Sequence, residues 1–206
     1  MPLTGALLTG GLLLAVVVGC GDAEQPPDDV VTALAEHGDE IASALESLCP
    51  IETDADGQIV AVDLTNRSLS HRGLDRIADL PQLRRLYLSS PTVRETGFQA
   101  LLRCRKLDTL WIADGNLDDL AWQALASLKQ LKRLHLIVTP LFVSAPRQLA
   151  ELENLEFLNI AGIGVTADTI DALTELEHLH TLILNQTRIG DDSVKALATI
   201  GSLRRI

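Results

Sequence analysis

Apolar residues recur at a fixed spacing along most of the chain. Residues of the leucine type stand 24 positions apart at seven places, namely Ile59, Leu83, Leu107, Leu131, Leu155, Leu179 and Leu203. Within a copy, apolar residues also fill the fourth, sixth and eleventh places, as Leu110, Ile112 and Leu117 do in the third copy. A period kept this strictly predicts a repeat architecture, in which copies of one unit stack side by side.

Each copy has a strand-like half followed by a helix-like half. In the first half apolar and polar residues alternate, which favours a strand with one buried face. In the second half the apolar residues lie three positions apart, as on one face of a helical turn. We expect these residues to be buried: Leu74, Ile77 and Leu80; Phe98, Leu101 and Cys104; Trp122, Leu125 and Leu128; Ile170, Leu173 and Leu176; Val194, Leu197 and Ile200.

At these residues the chain resembles the leucine-rich repeat family, in its bacterial 24-residue type. The resemblance covers residues 59–206, as six full copies and a partial seventh ending at Ile206. It implies an α/β solenoid, with a parallel sheet on the concave face and short helices on the convex face. We expect either that the short last strand near Ile206 covers the end of the sheet poorly or that a partner covers it.

The ninth place departs from the pattern of many family members, which have Asn there to bond the neighbouring loop. This chain has Arg67, Pro91, Gly115, Thr139, Ile163 and Thr187 at that place. The segment from Thr187 to Asp191 looks like a bacterial subtype with Thr at this position. We therefore expect a looser ladder between the loops.

The first 27 residues carry a targeting pattern. The apolar run at 6–18 has the length of a signal-peptide core and is too short to span a bilayer as a helix. It ends in Val17-Val18-Gly19-Cys20, which resembles the lipobox of bacterial lipoproteins. That resemblance implies a signal peptide at 1–19, an acylated Cys20, a tether at 20–27 and a cell-envelope location. An ordinary secretory peptide or a short buried helix remain alternatives, since residues 1–5 lack the expected Lys or Arg.

Residues 28–58 form a cap ahead of the repeats. Apolar residues at roughly helical spacing and the Asp-Gly pair at 56–57 predict a helix and then a hairpin turn. The cap would cover the apolar side of the first repeat. Residues from Glu52 to Asp63 also match the spacing of a calcium-binding EF-hand loop in part, but a strand follows where that loop needs a helix.

Composition and motifs exclude several functions. The chain has 17 basic and 28 acidic residues, a net charge of −11, which disfavours general nucleic-acid binding. His178 and His180 have no evident third partner for a metal site. We find no nucleophile elbow, phosphate loop or zinc helix, so the sequence indicates no enzyme, cofactor or metal. Cys49 and Cys104 are interpreted as buried thiols, with a disulfide as the alternative.

The outward strand positions supply the candidate site. The fifth places give Tyr87, Trp111 and His135, which we expect to stack across neighbouring strands. Arg85, Arg133 and Phe157, at the third places, should flank the stack. Tyr, Trp and Arg dominate interface hot spots. Packing that only stabilises the sheet is the alternative.

The charge of this face suggests the kind of partner. The outward positions, with the short last strand, carry six basic and four acidic residues, so their net charge is +2 and the rest of the chain carries −13. The basic residues are Arg84, Arg85, Lys132, Arg133, Arg204 and Arg205. The acidic residues are Asp63, Asp108, Asp114 and Glu156. We therefore predict a lipid-anchored envelope protein whose concave face binds a protein with an acidic contact surface. The alternatives are a structural or glycan-binding envelope protein and, more remotely, a metal-dependent enzyme.

Overall fold

The computed structural model describes residues 29–36, 40–65, 67–89, 95–141, 144–162, 164–187 and 189–206. The targeting pattern at 1–27, including Cys20, lies outside these residues. The described part of the chain forms one sheet with helices along its convex side, as the α/β solenoid expectation requires.

The sheet contains seven strands in chain order. Strand β1 pairs antiparallel with β2, and the strands from β2 to β7 pair in parallel. Their bounds are β1 Ile51–Thr53, β2 Ile59–Leu64, β3 Arg85–Ser89, β4 Thr109–Ala113, β5 Arg133–Ile137, β6 Phe157–Asn159 and β7 Thr181–Ile183. Each parallel pairing joins residues 24 apart, so equal places of neighbouring copies lie side by side.

Helices return the chain from one strand to the next. Their bounds are α1 Asp29–Glu36, α2 Ile41–Leu48, α3 His71–Ile77, α4 Asp119–Ala126, α5 Ala145–Ala150, α6 Ala167–Thr174 and α7 Asp191–Leu197. The second copy has a 3-10 helix at Glu95–Arg103 instead of an α-helix. None of the described helices is long and apolar enough to cross a membrane.

The twelfth place of several copies starts a helix. The side chains of Ser70, Asp118 and Thr166 accept hydrogen bonds from backbone N–H groups of the first turn. Such caps satisfy donors that a helix leaves free at its start, and each contributes about 1 kcal/mol. The same place therefore ends the loop after the strand and fixes where the helix begins.

The core lies between the sheet and the helices. The fourth-place residues from Val62 to Leu182 are 0% exposed. The helix residues predicted to be buried are also buried, with one exception. Val194 is 52% exposed, because α7 lies at the end of the stack and only Leu197 of this helix is buried.

The ninth-place ladder is partial. The Thr139 hydroxyl accepts a hydrogen bond from the Gly115 N–H at 3.2 Å and lies 3.3 Å from the Ile112 carbonyl oxygen, so it joins two copies. The Thr187 hydroxyl instead donates to Leu184 within its own copy. These contacts fit the expected looser ladder.

The cap consists of α1, α2 and the β1–β2 hairpin. One Asp54 carboxylate oxygen accepts hydrogen bonds from the N–H groups of Asp56 and Gln58, and Gly57 has a φ of 75°. This is the hairpin turn predicted for the segment. Asp29 ties α1 to the first repeat, since its carboxylate accepts from the Ser68 N–H at 3.0 Å.

Candidate functional site

The register of the sheet aligns aromatic side chains on the concave face. Tyr87 on β3 pairs with Trp111 on β4, and Trp111 pairs with His135 on β5. All three side chains are half-buried. The fifth places therefore form the continuous row that the sequence predicts.

Four rings contact one another in sequence along the face. The centroids of Tyr87 and Trp111 lie 6.2 Å apart with planes tilted by 44°. Trp111 and His135 are stacked at 4.6 Å and 11°, and His135 and Phe157 at 4.7 Å and 30°. We call these residues the aromatic stack. The sequence predicts that Phe157 flanks the row, whereas in the structure it extends the stack. It does so from the third place of its copy, although the other three rings come from fifth places.

The stacked rings face one another from strand to strand. The two stacked centroid distances equal the spacing of neighbouring strands, about 4.8 Å, so the rings face each other along the direction of the stack. Both faces of His135 are covered, one by Trp111 and the other by Phe157. His135 consequently presents mainly its ring edge to solvent.

His135 is held as a neutral imidazole. Burial, and secondly the positive charge of Arg133, lower its pKa to about 4. Its Nδ1 atom is buried and has no hydrogen-bond partner in the described structure. A second proton would therefore place a partly desolvated charge between two aromatic rings.

Two of the basic residues on this face are paired with carboxylates. Arg85 Nη2 lies 2.5 Å from Glu52 Oε2 on the cap strand β1, and Lys132 Nζ lies 2.8 Å from Glu156 Oε1. The sequence count of charges did not include Glu52, which belongs to the cap. Arg85 is therefore less available to a partner than the sequence suggested.

A shallow depression of about 530 Å³ lies beside the aromatic stack. The residues around it include Arg84, Tyr87, Asp108, Thr109, Trp111 and Arg133. We call it the donor pocket. Within the described residues, the guanidinium groups of Arg84 and Arg133 have no ion-pair partner.

Sequence reasoning did not assign Arg84 to the site, although it counted its charge. The second places carry alternating charges in part of their column, with Arg84, Asp108, Lys132 and Glu156 in order. Each of their N–H groups donates to the carbonyl of the preceding copy at 2.8 to 2.9 Å, so the column forms one edge of the concave face. This alternation of charge is the sequence feature that could have identified Arg84 as a residue of the site.

An apolar rim borders the stack in the fourth copy. Ile137 is half-buried, and Val138 is 49% exposed. Val138 has a φ of 52°, and the same eighth place has positive φ at Asp114, Gly162 and Gln186. The fold therefore requires left-handed backbone here, which a β-branched residue adopts at a cost.

The remaining candidate chemistry lies elsewhere. Cys49 and Cys104 are free and buried, as interpreted from the sequence, and burial raises the pKa of each thiol to about 11. Both are therefore unreactive core residues. Within the described residues, no group of three or more His, Cys, Asp or Glu side chains could hold a metal ion.

Comparisons with known proteins give matches among solved structures. No protein-family model matches the chain, and none of the curated proteins matches it. An internalin C2 from Listeria monocytogenes superposes with a TM-score of 0.58 at 20% identity, over 87% of this chain and 82% of that one.

Two plant receptors have a similar fold. The leucine-rich repeat ectodomain of the receptor kinase GASSHO1/SCHENGEN3 from Arabidopsis thaliana gives a TM-score of 0.54 at 21% identity, over 78% of this chain and 19% of that one. The Arabidopsis receptor kinase HAESA gives 0.55 at 20% identity, over 86% and 30%. This chain thus spans less than a third of either receptor. Repeat period, sheet register and these matches together show that the chain has the leucine-rich repeat fold.

Proposed function

We propose that this chain is a protein-interaction module, which binds a partner protein across its concave face and is held at a membrane by a lipid on Cys20. The observation that carries the binding part is the aromatic stack. Its four rings lie on the sheet face that none of the described helices covers, and they remain half-exposed there.

The composition of the stack favours binding over a purely structural role. Contacts between rings would stabilise the sheet by about 0.5–1.5 kcal/mol each, so packing explains part of the arrangement. It does not explain the unpaired guanidinium groups and the exposed Val138 next to the rings. Aromatic, Arg and apolar side chains together on an open face are typical of interface hot spots.

The two plant receptor structures of similar fold are complexes with partners. That of GASSHO1/SCHENGEN3 is in complex with CASPARIAN STRIP INTEGRITY FACTOR 2, and that of HAESA is in complex with the peptide hormone IDA and the co-receptor SERK1. An open parallel sheet offers a long surface of this kind without a closed pocket for catalysis. We extend partner binding to this chain as part of the proposal.

The orientation of the rings disfavours the glycan alternative. A sugar stacks on an exposed aromatic face, whereas both faces of His135 and one face of Trp111 are covered by neighbouring rings. Ring edges and guanidinium groups instead suit acidic and carbonyl oxygens of a protein. An acidic contact surface on the partner would also be complementary to the basic residues of this face.

The membrane part of the proposal is supported by the targeting pattern. Transfer of a diacylglyceryl group to the Cys20 thiol, followed by removal of residues 1–19, would leave the cap and repeats tethered at an envelope surface. A modified N-terminal Cys with more than one acyl chain gives stable anchoring, whereas one chain gives only reversible attachment.

A crosslinking pulldown with the full chain tests the binding part. We expect wild type to capture a protein that Trp111→Ala does not, because loss of a hot-spot ring costs about 2 kcal/mol or more, roughly 30-fold in affinity. Leu120→Ala is the matched control, since Leu120 is 42% exposed on α4, away from the concave face. Identical captured sets from all three proteins, with circular dichroism reporting intact folds, would contradict the proposal.

A further inference from the structure

The donor pocket combines several hydrogen-bond donors that have no acceptor in the fold. The guanidinium groups of Arg84 and Arg133, the indole N–H of Trp111 and the hydroxyl of Tyr87 make no side-chain hydrogen bond within the described structure. These groups come from three neighbouring strands or their starts. Convergence of unpaired donors on one depression suits a ligand rich in acceptors.

The charge of the pocket also favours a ligand rich in hydrogen-bond acceptors. Of the residues that line it, Asp108 is the single carboxylate, and its Oδ1 already accepts a hydrogen bond from the Thr109 hydroxyl at 2.8 Å. Arg85 is neutralised from outside by Glu52. The pocket therefore has two unpaired guanidinium charges and one carboxylate that already accepts a hydrogen bond. Its net charge is positive, which favours the binding of a further anionic group.

The edges of the aromatic rings also favour an anion. Aromatic rings carry partial positive charge at their edges and negative charge on their faces. Trp111 lines the pocket while His135 covers one of its faces, which favours contact between a ligand and the positive ring edge. A carboxylate gains from such an edge, whereas a base or a sugar ring cannot stack on His135, because both of its faces are covered.

We propose that the donor pocket binds an Asp or Glu carboxylate from an extended acidic segment of the partner protein. This inference rests on the proposed function, since it specifies which part of a partner contacts the concave face. An extended segment fits because its alternate side chains point the same way, so one carboxylate enters the pocket while neighbouring ones lie along the sheet. A carboxylate between two guanidinium groups forms charge-assisted hydrogen bonds, which are stronger than neutral ones.

The experiment uses a decapeptide of alternating Glu and Ala, with a peptide of alternating Gln and Ala as its neutral counterpart. The full chain in detergent micelles is isotope-labelled at its two Trp residues, so that the indole N–H signals can be followed by NMR. Trp122 is 1% exposed in the core and serves as an internal control. We expect the Glu peptide to shift the Trp111 signal saturably, to leave the Trp122 signal unchanged, and to bind at least about 10-fold more tightly than the Gln peptide.

Charge-removal variants separate a specific site from general attraction. Arg133→Gln should weaken the Glu peptide about 10-fold, whereas Arg147→Gln, an exposed Arg on the convex helix α5, should change affinity less than 2-fold at the same ionic strength. Equal losses in the two variants, or equal binding of the Gln peptide, would overturn the carboxylate assignment. Inorganic phosphate that displaces the peptide at equal concentration would also overturn it, since the pocket would then be a general anion site.

The outcome distinguishes this inference from the function on which it rests. If the Glu peptide fails but Trp111→Ala still loses a captured protein, the carboxylate assignment is wrong and the binding face stands. If the captured proteins do not depend on Trp111 either, the proposed function itself fails.

Discussion

The imidazole of His135 lies flat against the indole of Trp111, with ring centroids 4.6 Å apart and planes inclined by 11°. This contact joins strands β4 and β5 on the concave face, and it encloses a titratable ring in the middle of the candidate site. The stability of the sheet and the charge of the site are therefore coupled through one residue.

Acid should destabilise the protein through His135. Burial lowers its pKa to about 4 in the folded chain, whereas an unfolded His has a value near 6.5. Between these values the unfolded chain binds the extra proton more readily, so stability falls as pH drops from about 6.5 to 4. By pH 4.5 we expect a loss on the order of 1–2 kcal/mol from this half-buried residue, since solvent screens part of the shift.

Urea unfolding at pH 7.5 and 4.5 checks this prediction. His135→Gln should lose less stability on acidification, because Gln does not titrate while the carboxylates of the chain titrate in both proteins. Equal losses for wild type and variant would show that His135 is already protonated when folded or is exposed to solvent.

The register of the repeats predicts which leucines carry the core. Leu134 is 0% exposed in the centre of the sheet, so Leu134→Ala should cost about 2–5 kcal/mol of unfolding free energy. Val194 occupies an apolar place of the helical half but is 52% exposed, so Val194→Ala should cost under about 0.5 kcal/mol. Urea denaturation of both variants tests the register, and similar losses would contradict it.

The fold was largely predictable because a strict repeat period determines which residues of neighbouring strands pair. Once Leu107 and Leu131 are known to be equivalent, the pairing of Trp111 with His135 follows without knowledge of distant contacts. Val194 was predicted wrongly because periodicity treats every copy alike, whereas a helix at the end of a stack lacks a neighbour on one side.

The candidate site was predictable only in part. Residue alternation identified the outward positions, and so placed Tyr87, Trp111 and His135 in one row. Ring orientation and the pairing of Arg85 with Glu52 depend on rotamers and on how the cap meets the first repeats. Neither follows from the period, and for this reason the importance of Arg84 emerged only from the structure.

Lipid attachment should depend on a single atom of the chain, the thiol of Cys20. Cys20→Ser keeps the size of the side chain but removes the nucleophilic sulfur that would accept the diacylglyceryl group. We expect the variant to partition into the aqueous phase in detergent phase separation and to remain unprocessed on a gel. Ala substitution at Cys49, which is buried in the cap, is the control and should leave both readouts unchanged. Unaltered processing and retention in Cys20→Ser would contradict the anchoring proposal.

The rim of the site should carry backbone strain at Val138. This residue has a φ of 52°, a conformation that costs an L-residue about 1–2 kcal/mol and a β-branched one more. Its Cγ2 would also lie 3.2 Å from a Cβ added at Gly162, so the glycine in the next copy accommodates the valine.

Asn tolerates left-handed backbone, and Val138→Asn should therefore raise the unfolding free energy by about 1 kcal/mol. Val138→Thr makes the side chain polar but keeps the β-branch and should give no gain, so urea denaturation of the two variants separates relief of strain from a change in polarity. If the rim contributes to partner binding, the same Asn variant should bind more weakly while it unfolds less readily, since it loses an exposed apolar contact. A variant that is less stable than wild type would show that contacts of the Val138 side chain outweigh its backbone strain.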